Sequence, residues 1–307
     1  MEPMPARNAF STDRAVSPWI NFADVTAAEK RRTVVLIRTS DEGGYYVDLF
    51  RSDQDSNDWL FHHVGDGMQM RGKGLKWTAV DSIGRARSGG YSFFRNVSRT
   101  QTANGFQCEW GLPEGIISRL WMTGDRHREV FRMDAPSTTM VRGLTPGDVS
   151  MPPHPTPALM VRQTGLNGRE HPFCAVYESV RDSQPDIIAV ETLRARSGRA
   201  LTVRRRQEQT ETILSAELDR QTVETAGIRL SGMFGVVARH GRRVTAAYLG
   251  NGRSIITDDV SITAGQPVYA SVWQAGDVWY AVSTGPAVVH IGSRSYVVDS
   301  SVGKKLE

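Results

Sequence analysis

The sequence predicts an all-β protein built as a large antiparallel β-sandwich with few or no long helices. Three observations lead there. From residue 33 onward, short runs rich in β-branched and aromatic residues alternate with a period of two. Clusters of Gly and Pro punctuate these runs at about ten-residue spacing. After residue 32 no amphipathic stretch of about twelve residues stands out.

Taken in order, residues 1–32 are polar and irregular, with one short helix expected over 24–32. Asp24 would cap it, and Ala27, Ala28, Glu29 and Lys30 are good helix formers. Residues 33–38 and 45–50 read as strands. Ser40, Asp41, Glu42, Gly43 and Gly44 between them have the composition of a hairpin turn. Further strand candidates are 58–63, 91–97, 106–110, 117–122, 129–133, 158–163, 173–178, 187–192, 200–205, 211–216, 244–249, 268–273, 277–283, 288–291 and 295–298. The clearest interruption, 143–157, holds Pro146, Pro152, Pro153, Pro155 and Pro157. Such a run is extended and cannot join a central ladder. The expected organisation is an N-terminal segment 1–32, a first part of the sandwich 33–142, a proline-rich connection 143–157 and a second part 158–303. No internal repeat of fixed period is visible.

The chain has 307 residues, 39% apolar and 23% charged. That composition excludes a disordered or collagen-like chain, and the length suffices for a core without staples. No window approaches the roughly 18 apolar residues of a membrane span. Met1, Glu2, Pro3, Met4 and Pro5 form neither a basic n-region nor an apolar h-region, so no signal peptide is read here. The formal charge is +4, carried by 32 Arg and 5 Lys. Arginine pairs with planar anions in two-pronged fashion, although a GC-rich genome alone would also enrich it. Cys108 and Cys174 allow one disulfide but no framework, and no metal-type spacing.

The densest polar cluster runs from Arg51 through Asp53, Asp55, Asn57, Asp58, His62 and His63 to Asp66. If 58–63 is a strand, Asp58, Leu60 and His62 face one way and Trp59, Phe61 and His63 the other. The adjacent histidines then diverge and do not share a metal. Asp58 and His62 share a face about 13 Å apart, at four strand rises. The structural reading of both histidines is hydrogen bonding within a sheet. His63, beside two aromatics, reads as packed, and His62 is the candidate to touch a ligand. His127, His154, His171, His240 and His290 are scattered singly. No nucleophile elbow, P-loop or dinucleotide fingerprint is present. Arg204, Arg205 and Arg206 read as a solvated edge guard, with anion or nucleic-acid contact as the alternative. Trp273, Trp279 and Tyr280 read as packing within one hairpin rather than a sugar platform.

Three stretches share a pattern with a known family. Tyr45, Tyr46, Val47, Asp48, Leu49, Phe50 and Arg51, then Asn57, Asp58, Trp59, Leu60, Phe61 and His62, resemble the "V-D-x-F-R … H-D-W/Y-x-x-H-G" segment of heparinase II/III-like polysaccharide lyases. Gly90, Tyr91, Ser92, Phe93, Phe94, Arg95, Asn96 and Val97, then Trp110 and the run Ser118, Arg119, Leu120, Trp121, Met122, resemble the strands that follow it. Ala158 to Arg162, Phe173 to Glu178 and Val190 to Leu193 resemble the family's later "R-x-x-G … F-x-x-V-x-E-P" strands. The resemblance covers about 33–300.

The resemblance implies a supersandwich-like fold, which in that family follows an α/α toroid. It also implies cleavage of uronic-acid polysaccharides by β-elimination. That reaction needs neutralisation of the carboxylate, a Tyr or His to take the α-proton, and an acid for the leaving oxygen. The family's toroid supplies Asn, His and Tyr, and its upstream H-x-H-x-D-x-G motif supplies zinc-ligand chemistry. Neither lies in this sequence. Asn57 also stands where the family has its first His, and His63 where it has Gly. The chain is therefore expected to be the C-terminal β-sandwich portion of such a lyase, catalytically incomplete alone. No catalytic residue, metal or cofactor is assigned to it. Its expected substrate-binding residues are His62, Arg51 and Asp58, and its expected partners are an anionic polysaccharide or oligosaccharide and the missing toroid. Nucleic acid and membrane are not expected partners. The alternative is a non-catalytic carbohydrate-binding or structural module. The parent family is often periplasmic or secreted, and the sequence assigns no location.

Overall fold

A computed structural model describes residues 17–63, 66–84, 90–126, 128–135, 156–181, 184–218 and 221–307. Among these residues there are strands, turns and two single-turn 3₁₀ segments, Gly90–Phe93 and Pro113–Gly115, and no α-helix. The all-β expectation holds. The chain divides into two compact units, one made of Met1–Arg51 with Pro185–Glu307 and the other of Ser52–Gln184. The division thus follows a different line from the proline-rich stretch, most of which lies outside the described residues.

The first unit opens with β1 (Ile20–Ala27) and β2 (Lys30–Arg38), an antiparallel hairpin. The helix expected over 24–32 is not formed. Its residues pair instead, Asp24 with Thr33 and Val25 with Arg32, around a turn in which Ala28 takes a left-handed φ of 52°. Helix propensity differs by only a few tenths of a kcal/mol among such residues. Burial of Ile20, Phe22, Val35 and Ile37 outweighs it. Asp24 is not a helix cap; it accepts hydrogen bonds from Arg31 Nε at 3.0 Å and from the Thr33 hydroxyl. β3 (Gly44–Ser52) lies beside β2 and buries Tyr45, Val47 and Leu49.

The second unit holds β4 (Ser56–His62), β5 (Asp66–Gly72), β6 (Thr78–Ala79), β7 (Arg95–Thr102), β8 (Phe106–Gly111), β9 (Ile116–Met122), β10 (Arg128–Ala135), β11 (Thr156–Thr164) and β12 (Phe173–Arg181). Its strands form two ladders, in the orders β12-β9-β8-β5 and β4-β11-β10-β7-β6. The two meet through an aromatic layer, with Phe61 of β4 at 5.6 Å from Trp110 and 5.9 Å from Tyr177. The candidate strand 91–97 splits into a 3₁₀ turn and the start of β7. Pro157 does enter a central strand, as its second residue, where its carbonyl accepts the His63 N–H at 3.1 Å. A strand start is where a residue without an N–H is tolerated.

The first unit resumes with β13 (Ile187–Leu193), β14 (Arg199–Arg205), β15 (Gln209–Ser215), β16 (Thr222–Thr225), β17 (Ile228–His240), β18 (Arg243–Ile256), β19 (Val260–Ala275), β20 (Val278–Ser283), β21 (Ala287–Ile291), β22 (Arg294–Val298) and β23 (Lys304–Leu306). The main path is β13-β14-β15-β17-β18-β19-β20-β23, with β16 on β17 and β21 and β22 branching from β19. Gly232 and Gly252 oppose each other at a register shift between β17 and β18. A Cβ on Gly232 would lie 2.6 Å from the Gly252 Cα, so neither position admits a side chain. Phe22 of β1 packs on Phe234 at 5.7 Å and edge-on to Tyr248 at 6.0 Å. The strands β1 to β3 thereby cover part of the large sheet.

Arg205 corrects the reading of its basic run as a solvated guard. It is 9% exposed and donates to Glu211, and to Asp186 at 2.6 Å, while Tyr45 donates to Glu211 at 3.2 Å. Arg204 faces solvent and pairs with Glu191 at 2.6 Å. Alternation on β14 separates the two fates. Trp273 and Tyr280 stack at 5.8 Å across β19 and β20, within one hairpin as expected.

Candidate functional site

β4 presents the two faces that its sequence alternation requires. Asn57 and Trp59 are buried on one side, and Trp59 and Phe61 stack at 5.7 Å. His63 continues that row and stacks on Trp110 at 4.6 Å. Burial disfavours its charged form and lowers its pKa. His63 is a packed histidine.

The other face carries Asp58, Leu60 and His62. It is not open along its length. Leu60 packs against a cluster containing Ile83, Phe94, Phe131 and Met160. Asp58 stands opposite Arg162 in the β4–β11 register. Its two oxygens accept from Arg162 Nε at 2.7 Å and Nη2 at 2.9 Å, and the Tyr91 hydroxyl adds a third bond at 2.7 Å. Hydrogen bonding to Asp58 holds the Arg162 guanidinium above its ordinary value, against the opposing effect of burial. Arg162 also donates to the Ile83 carbonyl and lies 5.3 Å over the Phe131 ring. Asp58 is thus held by three bonds within the fold.

His62 ends the strand and is exposed. Its ring lies 6.0 Å from Phe94. Phe94 also lines a pocket of about 460 Å³ together with Asp81, Arg95, Asn96 and Ser98. Arg95 donates to the Ser92 carbonyl at 2.6 Å and the Phe94 carbonyl at 3.0 Å, which fixes its guanidinium at the rim. Phe93, at the end of the 3₁₀ turn, is 61% exposed. An accessible imidazole, an exposed aromatic and a guanidinium are groups that meet sugars by hydrogen bonding, stacking and charge.

Arg51, the last but one residue of β3, belongs to the first unit and is 2% exposed. Its Nη2 donates to the Ser215 carbonyl at 3.2 Å. The three residues singled out in the sequence therefore have three different surroundings, and only His62 is open to solvent.

One arrangement was invisible in the sequence. His171 Nδ1 lies 2.9 Å from Asp125, and buried Arg128 donates to the Pro172 carbonyl at 2.9 Å and to Gln163 at 3.2 Å. Arg128 also lies 4.8 Å over the Phe173 ring. The i, i+3 spacing of Asp125 and Arg128 was the local signal; pairing with His171 needs the loop before β12. His127 and His154 lie outside the described residues. Among the described residues no group of three His, Cys, Asp or Glu is placed to hold a metal ion. No helix there is long and apolar enough to cross a membrane.

Residues 187–272, from β13 into β19, match the family model of the endo-acting ulvan lyase C-terminal domain. The class this points to is polysaccharide lyase, and the chain is related to a protein of that class. Over 278 residues it is 23% identical to an endo-acting ulvan lyase of Formosa agariphila, an alignment covering 78% of this chain and 32% of that protein. The chain therefore spans about a third of the length of this curated relative.

Proposed function

We propose that the chain is the β-sandwich portion of a polysaccharide lyase that cleaves a uronic-acid polysaccharide of the ulvan kind by β-elimination. Its part is to wall and bind the anionic polymer, with the elimination machinery carried on a helical toroid of the heparinase II/III-like type. The match of residues 187–272 to a lyase C-terminal domain is the observation that carries this reading. The all-β backbone among the described residues agrees with it. The order of the three family-like segments supports the heparinase II/III-like assignment. Exposed His62 is the residue assigned here to meet sugar, and the Phe94 ring, between Phe93 and Arg95 in the chain, lies 6.0 Å from its own. Asp58 and Arg51 are each spent on holding strands within their own unit.

The test is to incubate the chain with ulvan, alginate and heparan sulfate and follow the absorbance of the unsaturated product. No turnover by the chain alone is the expected result. Robust turnover would overturn the assignment of the elimination machinery to another part of the enzyme.

A second reading, a non-catalytic carbohydrate-binding module, draws on the exposed aromatics Phe93 and Tyr46, at 61% and 43%. A glycan array on wild type, His62→Ala and Phe93→Ala separates the two. Loss on His62→Ala favours the lyase wall; loss on Phe93→Ala alone favours the stacking module.

A further inference from the structure

We propose that a second site, in the first unit, binds the anionic substituents of the polysaccharide. The site is an open pocket of about 830 Å³ between the 194–198 loop, the β16–β17 turn and the end of β18. Arg194, Arg196 and Arg229 line it, with Glu224 and Asp258. The proposal rests on the reading above that the chain meets an anionic polymer.

The backbone around the pocket is fixed before any ligand arrives. Arg196 and Glu224 exchange backbone hydrogen bonds at 3.0 and 3.3 Å. The Thr225 hydroxyl donates to the Arg194 carbonyl at 2.7 Å. Gly198 closes the loop with a φ of 132°, and a Cβ there would lie 2.7 Å from the Ser215 carbonyl oxygen. Ala226 and Gly227, with φ of 45° and 74°, make the two-residue turn that leads into Arg229. Thr257, buried in the floor, donates to the Val260 carbonyl at 2.8 Å and accepts its N–H at 3.0 Å. A rigid frame reduces the ordering cost of binding.

The charge pattern then points to a ligand. Four arginines elsewhere in this unit are answered by carboxylates: Arg31 by Asp24, Arg32 by Asp48, Arg204 by Glu191 and Arg205 by Glu211. Among the described residues no carboxylate pairs with Arg194, Arg196 or Arg229, although all three side chains share one concavity and all three residues are exposed. Asp258, one of the two acids of the lining, already has Arg239 as a positive neighbour. Guanidinium groups gathered in a concave surface focus a positive field and present paired donors to planar or tetrahedral oxyanions. Sugar carboxylates and sulfate esters share that chemistry. The pocket also lies within residues 187–272, the stretch matched by the lyase C-terminal domain.

The experiment is affinity electrophoresis of the full chain in gels containing ulvan, a polyuronate without sulfate, a sulfated glucan without uronate, a neutral glucan, or duplex DNA. The proteins run are wild type, the triple variant Arg194→Gln/Arg196→Gln/Arg229→Gln, the double variant Glu224→Gln/Asp258→Asn, and Arg181→Gln in the other unit as control. Wild type is expected to be retarded by the anionic polysaccharides and not by the neutral glucan. The triple variant should bind about tenfold or more weakly, since charge-assisted contacts are removed. The double variant should bind more tightly, a gain that misfolding cannot mimic, and Arg181→Gln should behave as wild type. The polyuronate and the sulfated glucan identify which oxyanion is recognised. Unchanged binding by the triple variant, no retardation of wild type, equal retardation by the neutral glucan, or equal arginine-dependent binding to DNA would each overturn the site. None of these bears on the turnover assay, which tests the lyase reading by itself.

Discussion

Asp58 and Arg162 face each other across β4 and β11 and are joined by two hydrogen bonds of 2.7 and 2.9 Å. Both side chains are nearly excluded from solvent, at 9% and 5% exposure. The pair fastens the edge strand that carries His62 to its neighbour β11.

Asp58→Ala should therefore destabilise the protein by about 3–5 kcal/mol, because it leaves a buried guanidinium without its counter-charge. Urea unfolding measures this. The double variant Asp58→Leu/Arg162→Met should recover most of the loss, as apolar groups of similar volume can replace a buried pair. A single-variant loss below about 1 kcal/mol would refute the structural role.

His63 gives the fold an acid-side weakness. Its folded pKa lies below the ordinary value of 6.5, because burial beside Trp110 disfavours the imidazolium. The unfolded chain then binds more protons than the folded one, so stability rises with pH through this range. The stability is fully present above about 6.5 and falls as pH drops below it toward the lowered folded value. Thermal melting of His63→Phe should show a shallower decline across that window than wild type. Parallel declines would show that His63 is not its source.

Arg205 is the hub of a buried cluster with Glu211, Asp186 and Tyr45. Burial first, and the adjacent Glu211 second, push the Tyr45 phenol well above its ordinary range. Arg205→Ala should cost about 3–5 kcal/mol in urea unfolding, because Glu211 is 3% exposed and loses its partner. Arg205→Lys should restore only part of this, since an ammonium cannot reproduce the forked contacts. Full rescue by lysine would show that charge alone matters there.

Cys108 and Cys174 are free thiols and fully buried, and burial pushes the Cys108 thiol up, away from the reactive thiolate. Neither should react with a maleimide in the native protein, and both should react in denaturant. Mass spectrometry counts the adducts. Rapid native labelling of either would contradict the packing of β8 or β12.

Much of the fold was legible because its signals are local. Period-two runs of branched and aromatic residues marked β2, β3, β10, β11 and β12. The hairpin of β1 and β2 was misread because weak helix propensity in Ala27 to Lys30 is the only local signal, and the burial that overrides it comes from distant chain. β17 and the far half of β18 were missed for a related reason. Gly232, Gly235, Gly250 and Gly252 interrupt the alternation of side chains there, yet Gly232 and Gly252 are required where neighbouring strands come together. In the candidate site, the outward direction of His62 followed from alternation on β4. The confinement of Asp58 did not, since Arg162 and Tyr91 are 104 and 33 residues away.

The sequence by itself determined the all-β class, the faces of individual strands and the lyase-like order of segments, because a strand's periodicity is written in adjacent residues. Only the tertiary structure decided which charges are spent on the fold and which remain for a ligand. Arg51, Arg128, Arg162 and Arg205 look no different in sequence from Arg194, Arg196 and Arg229. Burial and the arrival of a remote carboxylate or carbonyl separate them, and both depend on how strands far apart in the chain are brought side by side.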